Sequence, residues 1–134
     1  MTHLPPWMTI LLRFAGTFNL LAGAGMFCLH HEGCKLLGMA TPPMALPIQI
    51  VGILVALFGV GYHLVAAHPI ENRNILLLGW WSKALSSATA LFYVAAGRLP
   101  WRFALAVFLA DVIYLPPFLV ILRRIDRLRR AKGG

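Results

Sequence analysis

The chain has 134 residues, of which 60% are hydrophobic and only 12% are charged, and its mean hydropathy is +0.78. Such a composition leaves too little polar surface for a water-soluble globular protein of this size. The sequence therefore predicts an integral membrane protein. Its net charge of +8 has to be explained within that class.

Four apolar segments are long enough to cross a bilayer, at about residues 7–29, 46–67, 75–97 and 101–122. A hydrocarbon core of about 30 Å is crossed by about 20 helical residues, and lipid offers the backbone no hydrogen-bond partner, which favours helices. We expect the first segment to be a retained helix and not a cleaved signal peptide. The preceding "MTHLPPW" has no Lys or Arg, and Arg13 interrupts the apolar run.

Short connections force neighbouring helices to be antiparallel, so residues 1–122 are predicted to form an all-α transmembrane four-helix up-down-up-down bundle. A basic tail, 123–134, follows the fourth span. The excess of positive charge there places the tail, and with four spans both termini, in the cytoplasm, even though Arg98 and Arg102 then lie near the outer side. We expect the tail to contact anionic lipid headgroups and not nucleic acid. Its six basic residues, of twelve in the chain, are Arg123, Arg124, Arg127, Arg129, Arg130 and Lys132.

Local features refine this picture of the spans. Residues 29–45 predict a lid-like turn or a short interfacial helix in the outer loop, and Pro116 with Pro117 predicts a kink in the fourth span. Four tryptophans near span ends are expected to be interfacial anchors: Trp7, Trp80, Trp81 and Trp101. Small residues on one face of a span indicate close helix packing: Gly16 and Gly23; Gly52, Ala56 and Gly59; Ser82, Ser86, Ser87 and Ala90.

Two ionisable residues lie deep within the last two spans. A charge at the centre of a transmembrane helix costs about 2.5–3.5 kcal/mol, so Lys83 and Asp111 are expected to face the interior and pair. On one interpretation, the pair fixes the register of the two helices and has no other role. Alternatively it belongs to a polar intramembrane pocket for a small anionic or amphipathic ligand, unless Arg13 snorkels to the interface. The residues of that candidate pocket are Lys83, Asp111, Arg13, Asn19, His63 and Tyr114.

The outer loop contains the cluster "CLHHEGC". Sulfur and imidazole side chains bind zinc or copper, which makes the cluster a weak metal-site candidate. A disulfide, uninvolved thiols or a redox-active pair are the alternatives. Quinone-linked disulfide oxidases use four cysteines, including C-x-x-C, and this chain has two without that motif. A haem or chlorophyll ligand at His63 has thin support, and no cofactor is predicted. The cluster residues are Cys28, His30, His31, Glu32 and Cys34.

The order of these features resembles that of known membrane proteins. An early Arg in the first span is followed by "GYHLVAAHPIENRN", "LGWWSKALS" and "GRLPWRFALAVFLADVIYLPPFLVIL". The chain is similar, over residues 61–122 and 13–25, to a group of small, mostly uncharacterised bacterial four-helix membrane proteins, and more broadly to the DoxX-like group. The resemblance implies four spans and transfers no catalytic residues. The positions matched are Gly61, Tyr62, Pro69, Lys83 and Asp111.

Three functions of different classes follow from the sequence. The first is a non-enzymatic protein of the bacterial inner membrane that acts as an accessory or assembly subunit of a larger membrane complex, or as a homo-oligomer. This is the prediction that we adopt, because so small a chain has few residues left for an active site. The alternatives are binding or transport of an anionic or amphipathic ligand in the polar pocket, and a metal or redox role of the outer loop.

Overall fold

The computed structural model describes residues 3–133 of the chain. Within that range the chain forms helices and turns and no β-strand, as predicted for an all-α protein. The elements are α1 (Pro6–Cys28), α2 (His30–Leu37), α3 (Leu46–Ala67), α4 (Arg73–Ala95), α5 (Trp101–Ala110), a 3₁₀ turn (Val112–Tyr114) and α6 (Leu115–Gly133).

Four helical stretches are long and apolar enough to cross a membrane, which is the pattern of a multi-pass membrane protein. They are α1, α3, α4 and the broken stretch Trp101–Gly133. The predicted number of helices of membrane-spanning length is confirmed, and the bounds of the first two differ from the prediction by at most one residue. The third begins and ends two residues earlier than 75–97. It ends early because Gly97 adopts a left-handed φ of 75° that stops the helix. Residues 29–45, predicted to form the outer loop, contain the short helix α2, and a short helix was one of the two predicted forms.

The fourth span is not continuous. It breaks at residues 111–114, between α5 and α6, one turn before Pro116 and Pro117. A proline has no N–H to donate to the carbonyl four residues earlier, so these two prolines remove helical bonds to Val112 and Ile113. The predicted kink is present, and the missing bonds place it on the N-terminal side of the prolines.

The basic segment 123–134, predicted as a tail, is helical as far as it is described, since α6 extends to Gly133. Gly134 lies outside the described residues. Ile125 and Leu128 are buried while Arg123 and Arg127 are exposed, so this part of α6 is amphipathic. Its apolar face packs on the rest of the protein, and the Arg73 guanidinium of α4 binds Asp126 at 2.7 Å. The sequence did not predict this packing, because charged residues make up most of segment 123–134.

Glycines bring α1 and α3 into close contact. A methyl group added at Gly23 would overlap the carbonyl oxygen of Gly52, and one added at Gly59 would come within 2.6 Å of the carbonyl oxygen of Gly16. Residue numbers therefore rise along α1 as they fall along the facing side of α3. The predicted use of these glycines in helix packing is confirmed, and the helix that each one contacts belongs to the same chain.

The hydrophobic core lies towards the end of the protein where α6 ends. Large side chains from α1, α3, α4 and α6 meet there and are almost completely buried. At the opposite end α2 packs against α5, where Nη1 of Arg102 donates a hydrogen bond of 3.4 Å to the carbonyl of Leu36. The fully buried core residues include Leu12, Tyr62, Val65, Leu76, Phe118, Ile121 and Ile125.

Candidate functional site

The ammonium group of Lys83 joins three helical segments in the middle of the protein. Its Nζ atom lies 3.0 Å from Oδ1 of Asp111, 3.1 Å from the carbonyl oxygen of Ala110 and 3.4 Å from Oδ1 of Asn19. The predicted pairing of Lys83 with Asp111 is thus present in the structure. Asn19, of α1, also donates from Nδ2 to the carbonyl of Val55 at 3.3 Å, which connects α3 to the same group.

The break in the fourth span supplies two of these acceptors. Asp111 ends α5 with a non-helical backbone, and the N–H of Tyr114 bonds to the Asp111 carbonyl at 3.1 Å. In a continuous helix that N–H would instead bond to the carbonyl of Ala110. The Ala110 carbonyl is therefore available to Lys83. The two prolines that break the helix create this acceptor indirectly.

Two tyrosine rings complete the surroundings of the ammonium group. Its Nζ atom lies 5.1 Å from the ring centre of Tyr114 and 5.7 Å from that of Tyr62, distances at which cation–π attraction contributes. Gly79, one turn before Lys83 on α4, makes room for Tyr62. A methyl group there would lie 2.5 Å from its ring.

The arrangement neutralises the buried charge. The Lys83 side chain is 5% exposed and that of Asp111 25%, so one positive and one negative group face each other largely out of solvent. All three N–H donors of an ammonium group have an acceptor here. Chemically, this geometry holds α1, α4 and the break in the fourth span together and leaves the ammonium no free donor for a ligand.

Three residues of the predicted pocket join this site: Asn19, Asp111 and Tyr114 all surround Lys83. The other two, Arg13 and His63, contact each other in a separate cluster between α1 and α3. Nη1 of Arg13 lies 3.2 Å from Nδ1 of His63, whose Nε2 lies 3.2 Å from Oγ1 of Thr17. No hydrogen bond within residues 3–133 links this cluster to the lysine.

The outer-loop residues do not converge. Cys28 is exposed, Cys34 is buried, and both are free thiols. Nδ1 of His31 forms a hydrogen bond of 2.9 Å with the hydroxyl of Thr41. In the part of the chain that the structure describes, no three His, Cys, Asp or Glu side chains are grouped so as to hold a metal ion. The metal hypothesis for this loop thus gains no geometric support.

Sequence reasoning missed several contributors to these clusters. Tyr62 was not assigned to the pocket, although it directly precedes His63 and faces a glycine of α4. Thr17 lies four residues after Arg13, which places both side chains on the same helix face. This spacing could have identified Thr17 as a neighbour of Arg13. The hydroxyl of Ser87, one turn after Lys83, is buried and has no hydrogen-bond partner among the described residues.

Comparison with known proteins assigns no function to these residues. No protein-family model, no curated protein and no solved structure matches the chain. The resemblance to small bacterial four-helix membrane proteins, including the DoxX-like group, therefore stays a prediction. What the site does has to be inferred from its own contacts: a neutralised buried lysine at a helix break, and a separate arginine–histidine cluster between α1 and α3.

Proposed function

We propose that this protein is a non-enzymatic subunit of the bacterial inner membrane that acts by lateral association, either with a second copy of itself or with another membrane subunit. Its four spans form an up-down-up-down bundle with both termini in the cytoplasm. The positive charge of α6 supports this orientation through the positive-inside rule. The exposed arginines of that helix also suit contact with anionic headgroups at the membrane surface.

The observation that carries the proposal is an outward-facing groove between α4 and α5, with a volume of about 460 Å³. Ser86 and Ala90 of α4 line it, and they are two of the four small residues whose spacing predicts close helix packing. Transmembrane helices associate through small residues, because these let two backbones approach. The glycines of α1 and α3 are used within the chain, whereas Ser86 and Thr89 on this face of α4 are exposed. The groove is lined by Leu85, Ser86, Thr89, Ala90, Leu99 and Phe103.

The buried lysine site fits the same role. Its ammonium group is saturated by acceptors of the chain itself, so the site favours a fixed arrangement of helices over a ligand-binding pocket. A rigid arrangement presents one constant outer surface to a partner. Hydroxyl groups of Ser86 and Thr89 on that surface can bond across a helix–helix interface, at about 0.6–2 kcal/mol each.

Cysteine crosslinking in native membranes tests the proposal. In a chain carrying Cys28→Ser and Cys34→Ser, we introduce Ser86→Cys in the groove, with Leu57→Cys, on an exposed face of α3, as the matched control. A maleimide–benzophenone reagent, attached to the thiol and then photoactivated so that it needs no thiol on the partner, is expected to give one discrete product from Ser86→Cys and none from Leu57→Cys. A product of twice the chain mass identifies a homo-oligomer, and any other mass identifies another subunit.

Two results would overturn the proposal. One is the absence of any discrete product from Ser86→Cys although the thiol reacts with a monofunctional maleimide. The other is the same set of products from both cysteines, which would indicate random collision in the bilayer. A leucine at the same position provides a second readout, because Ser86→Leu fills the groove and is expected to shift the detergent-solubilised protein to a smaller assembly.

A further inference from the structure

We infer that Arg13, held by His63, forms a binding site for the phosphate group of an anionic membrane lipid. This inference goes beyond the lateral association proposed above and does not depend on it. Its residues lie on α1 and α3, away from the α4–α5 groove. Four features of the cluster support such a site: its charge, its orientation, its construction and its depth.

Within residues 3–133 the positive charge of Arg13 has no carboxylate partner. The chain contains four acidic residues, and Arg13 forms an ion pair with none of them. Glu71, Asp111 and Asp126 pair with Lys132, Lys83 and Arg73 respectively. Glu32 lies on α2, at the opposite end of α1. Arg13 is exposed, so its charge is available to an anion from the membrane.

The contact with His63 orients the guanidinium without neutralising it. A guanidinium group is donor-only, so Nδ1 of His63 is the acceptor in this contact and Nε2 faces the hydroxyl oxygen of Thr17. A carboxylate in the same place would hold the arginine equally well but would cancel its charge. One of the five guanidinium donors is used here, and the planar fork that remains matches two oxygens of a phosphate.

The backbone of α1 is shaped to accept the imidazole. A methyl group added at Gly16 would lie 2.6 Å from Cδ2 of His63 and 2.7 Å from the carbonyl oxygen of Gly59. The histidine ring therefore lies directly on the glycine surface of α1. Arg13 and Thr17 lie four residues apart and share one face of α1, and the buried Gly16 lies beside them. Side chains of α1 and the histidine of α3 thus form the cluster together.

The depth of Arg13 places it within a side-chain length of the hydrocarbon boundary. Asn19 contacts Lys83 near the middle of the spans, and Arg13 lies six residues before it, about 9 Å towards the end that bears the basic residues of α6. The hydrocarbon boundary is about 15 Å from the bilayer centre. Side chains of α-helices point towards the N-terminus, and for α1 this direction leads to that boundary. The guanidinium thus comes within reach of that boundary, where the phosphate of a lipid can approach it.

Native mass spectrometry of the full chain, released from mixed micelles of phosphatidylglycerol and phosphatidylcholine, tests the site. The wild type is expected to retain phosphatidylglycerol selectively. Arg13→Gln is expected to weaken this binding about tenfold or more, because it removes a charge-assisted contact. Arg123→Gln is the matched control, since it removes the same charge from an exposed arginine of α6 and is expected to leave the selectivity in place.

Further variants separate the site from general electrostatics. His63→Gln keeps an acceptor for Arg13 and is expected to bind the lipid better than His63→Leu. Arg13→Lys keeps the charge without the fork and is expected to fall between the wild type and Arg13→Gln, which provides a comparison if the glutamine variant does not fold. Inorganic phosphate, added at the same concentration as the lipid, is expected not to compete.

Specific results would overturn the inference. Equal retention of phosphatidylglycerol by the wild type and Arg13→Gln, or an effect of Arg123→Gln as large as that of Arg13→Gln, would assign lipid binding to general positive charge. Competition by inorganic phosphate would indicate a site for a free anion. Crosslinking at residue 86 is unaffected by any of these outcomes, so failure of this site and failure of lateral association are distinguishable.

Discussion

The ammonium group of Lys83 and the carboxylate of Asp111 lie 3.0 Å apart, one inside α4 and the other at the break of the fourth span. The lysine needs a partner because a lone charge at this depth is unfavourable in lipid. The aspartate is positioned for that role by the irregular backbone ahead of the prolines. The helix break and the ion pair thus form one structural unit, which also includes the carbonyl of Ala110.

We expect single substitutions of this pair to be more harmful than the double substitution. Lys83→Met and Asp111→Leu each leave one buried charge unpaired, which costs about 3–5 kcal/mol of the free energy of unfolding. Together they remove both charges, and the loss is expected to be clearly smaller than the sum. Unfolding of the purified protein in mixed micelles, followed by circular dichroism, measures the coupling.

The pair of Arg73 with Asp126 is the control for that experiment. Its side chains are 23% and 38% exposed, so neutralising both should give a coupling energy of about 1 kcal/mol or less. Additive losses at Lys83 and Asp111, with no coupling, would contradict the interaction between them.

The glycines of the α1–α3 contact provide a second test. At Gly23 a methyl group would overlap the Gly52 carbonyl, whereas at Gly25 no atom lies within 4 Å of it. We expect Gly23→Ala to destabilise the protein by about 1–3 kcal/mol through overpacking. Gly25→Ala should be neutral or stabilising by up to about 1 kcal/mol, because alanine favours the helix. Thermal melting of the two variants measures the difference, and equal melting temperatures would refute the close contact.

Trp80 was expected to be an interfacial anchor, but its indole N–H donates a hydrogen bond of 2.9 Å to the carbonyl of Leu115 at the start of α6. Trp80→Phe removes this bond and should lower the free energy of unfolding by about 0.5–1.5 kcal/mol. Trp81 is half exposed, and Trp81→Phe is the matched control with little expected effect. Denaturant titration compares the two, and a larger effect at Trp81 would argue against this role.

The thiols of the outer loop should differ in reactivity. Cys28 is exposed and Cys34 buried, and they are not joined. On the proposed topology both face the exterior, so we expect a membrane-impermeant maleimide to label Cys28 in intact cells without prior reduction. Cys34 should react only after unfolding. Mass spectrometry of the labelled chain locates the modification. Labelling that requires a reductant would indicate a disulfide, and labelling only after lysis would reverse the topology.

The sequence by itself determined the fold class and the number of spans. Apolar runs of about 20 residues admit few other structures, because lipid leaves backbone groups no partner outside helices. The same physical argument paired Lys83 with Asp111, since a charge in hydrocarbon requires a counter-charge. The glycine spacing of α1 and α3 likewise predicted close packing, because one face of a helix can be read from residue numbers.

Only the tertiary structure decided which polar residues meet. Depth along a helix can be counted from the sequence, whereas rotation about the helix axis cannot, so Arg13, His63 and Lys83 were assigned to one pocket but lie in two clusters. The position of the helix break, the Ala110 carbonyl and the approach of Tyr62 through Gly79 depend on how neighbouring backbones pack. The buried face of the basic segment depends on the same packing, because its few apolar residues gain their partners from α1 and α4.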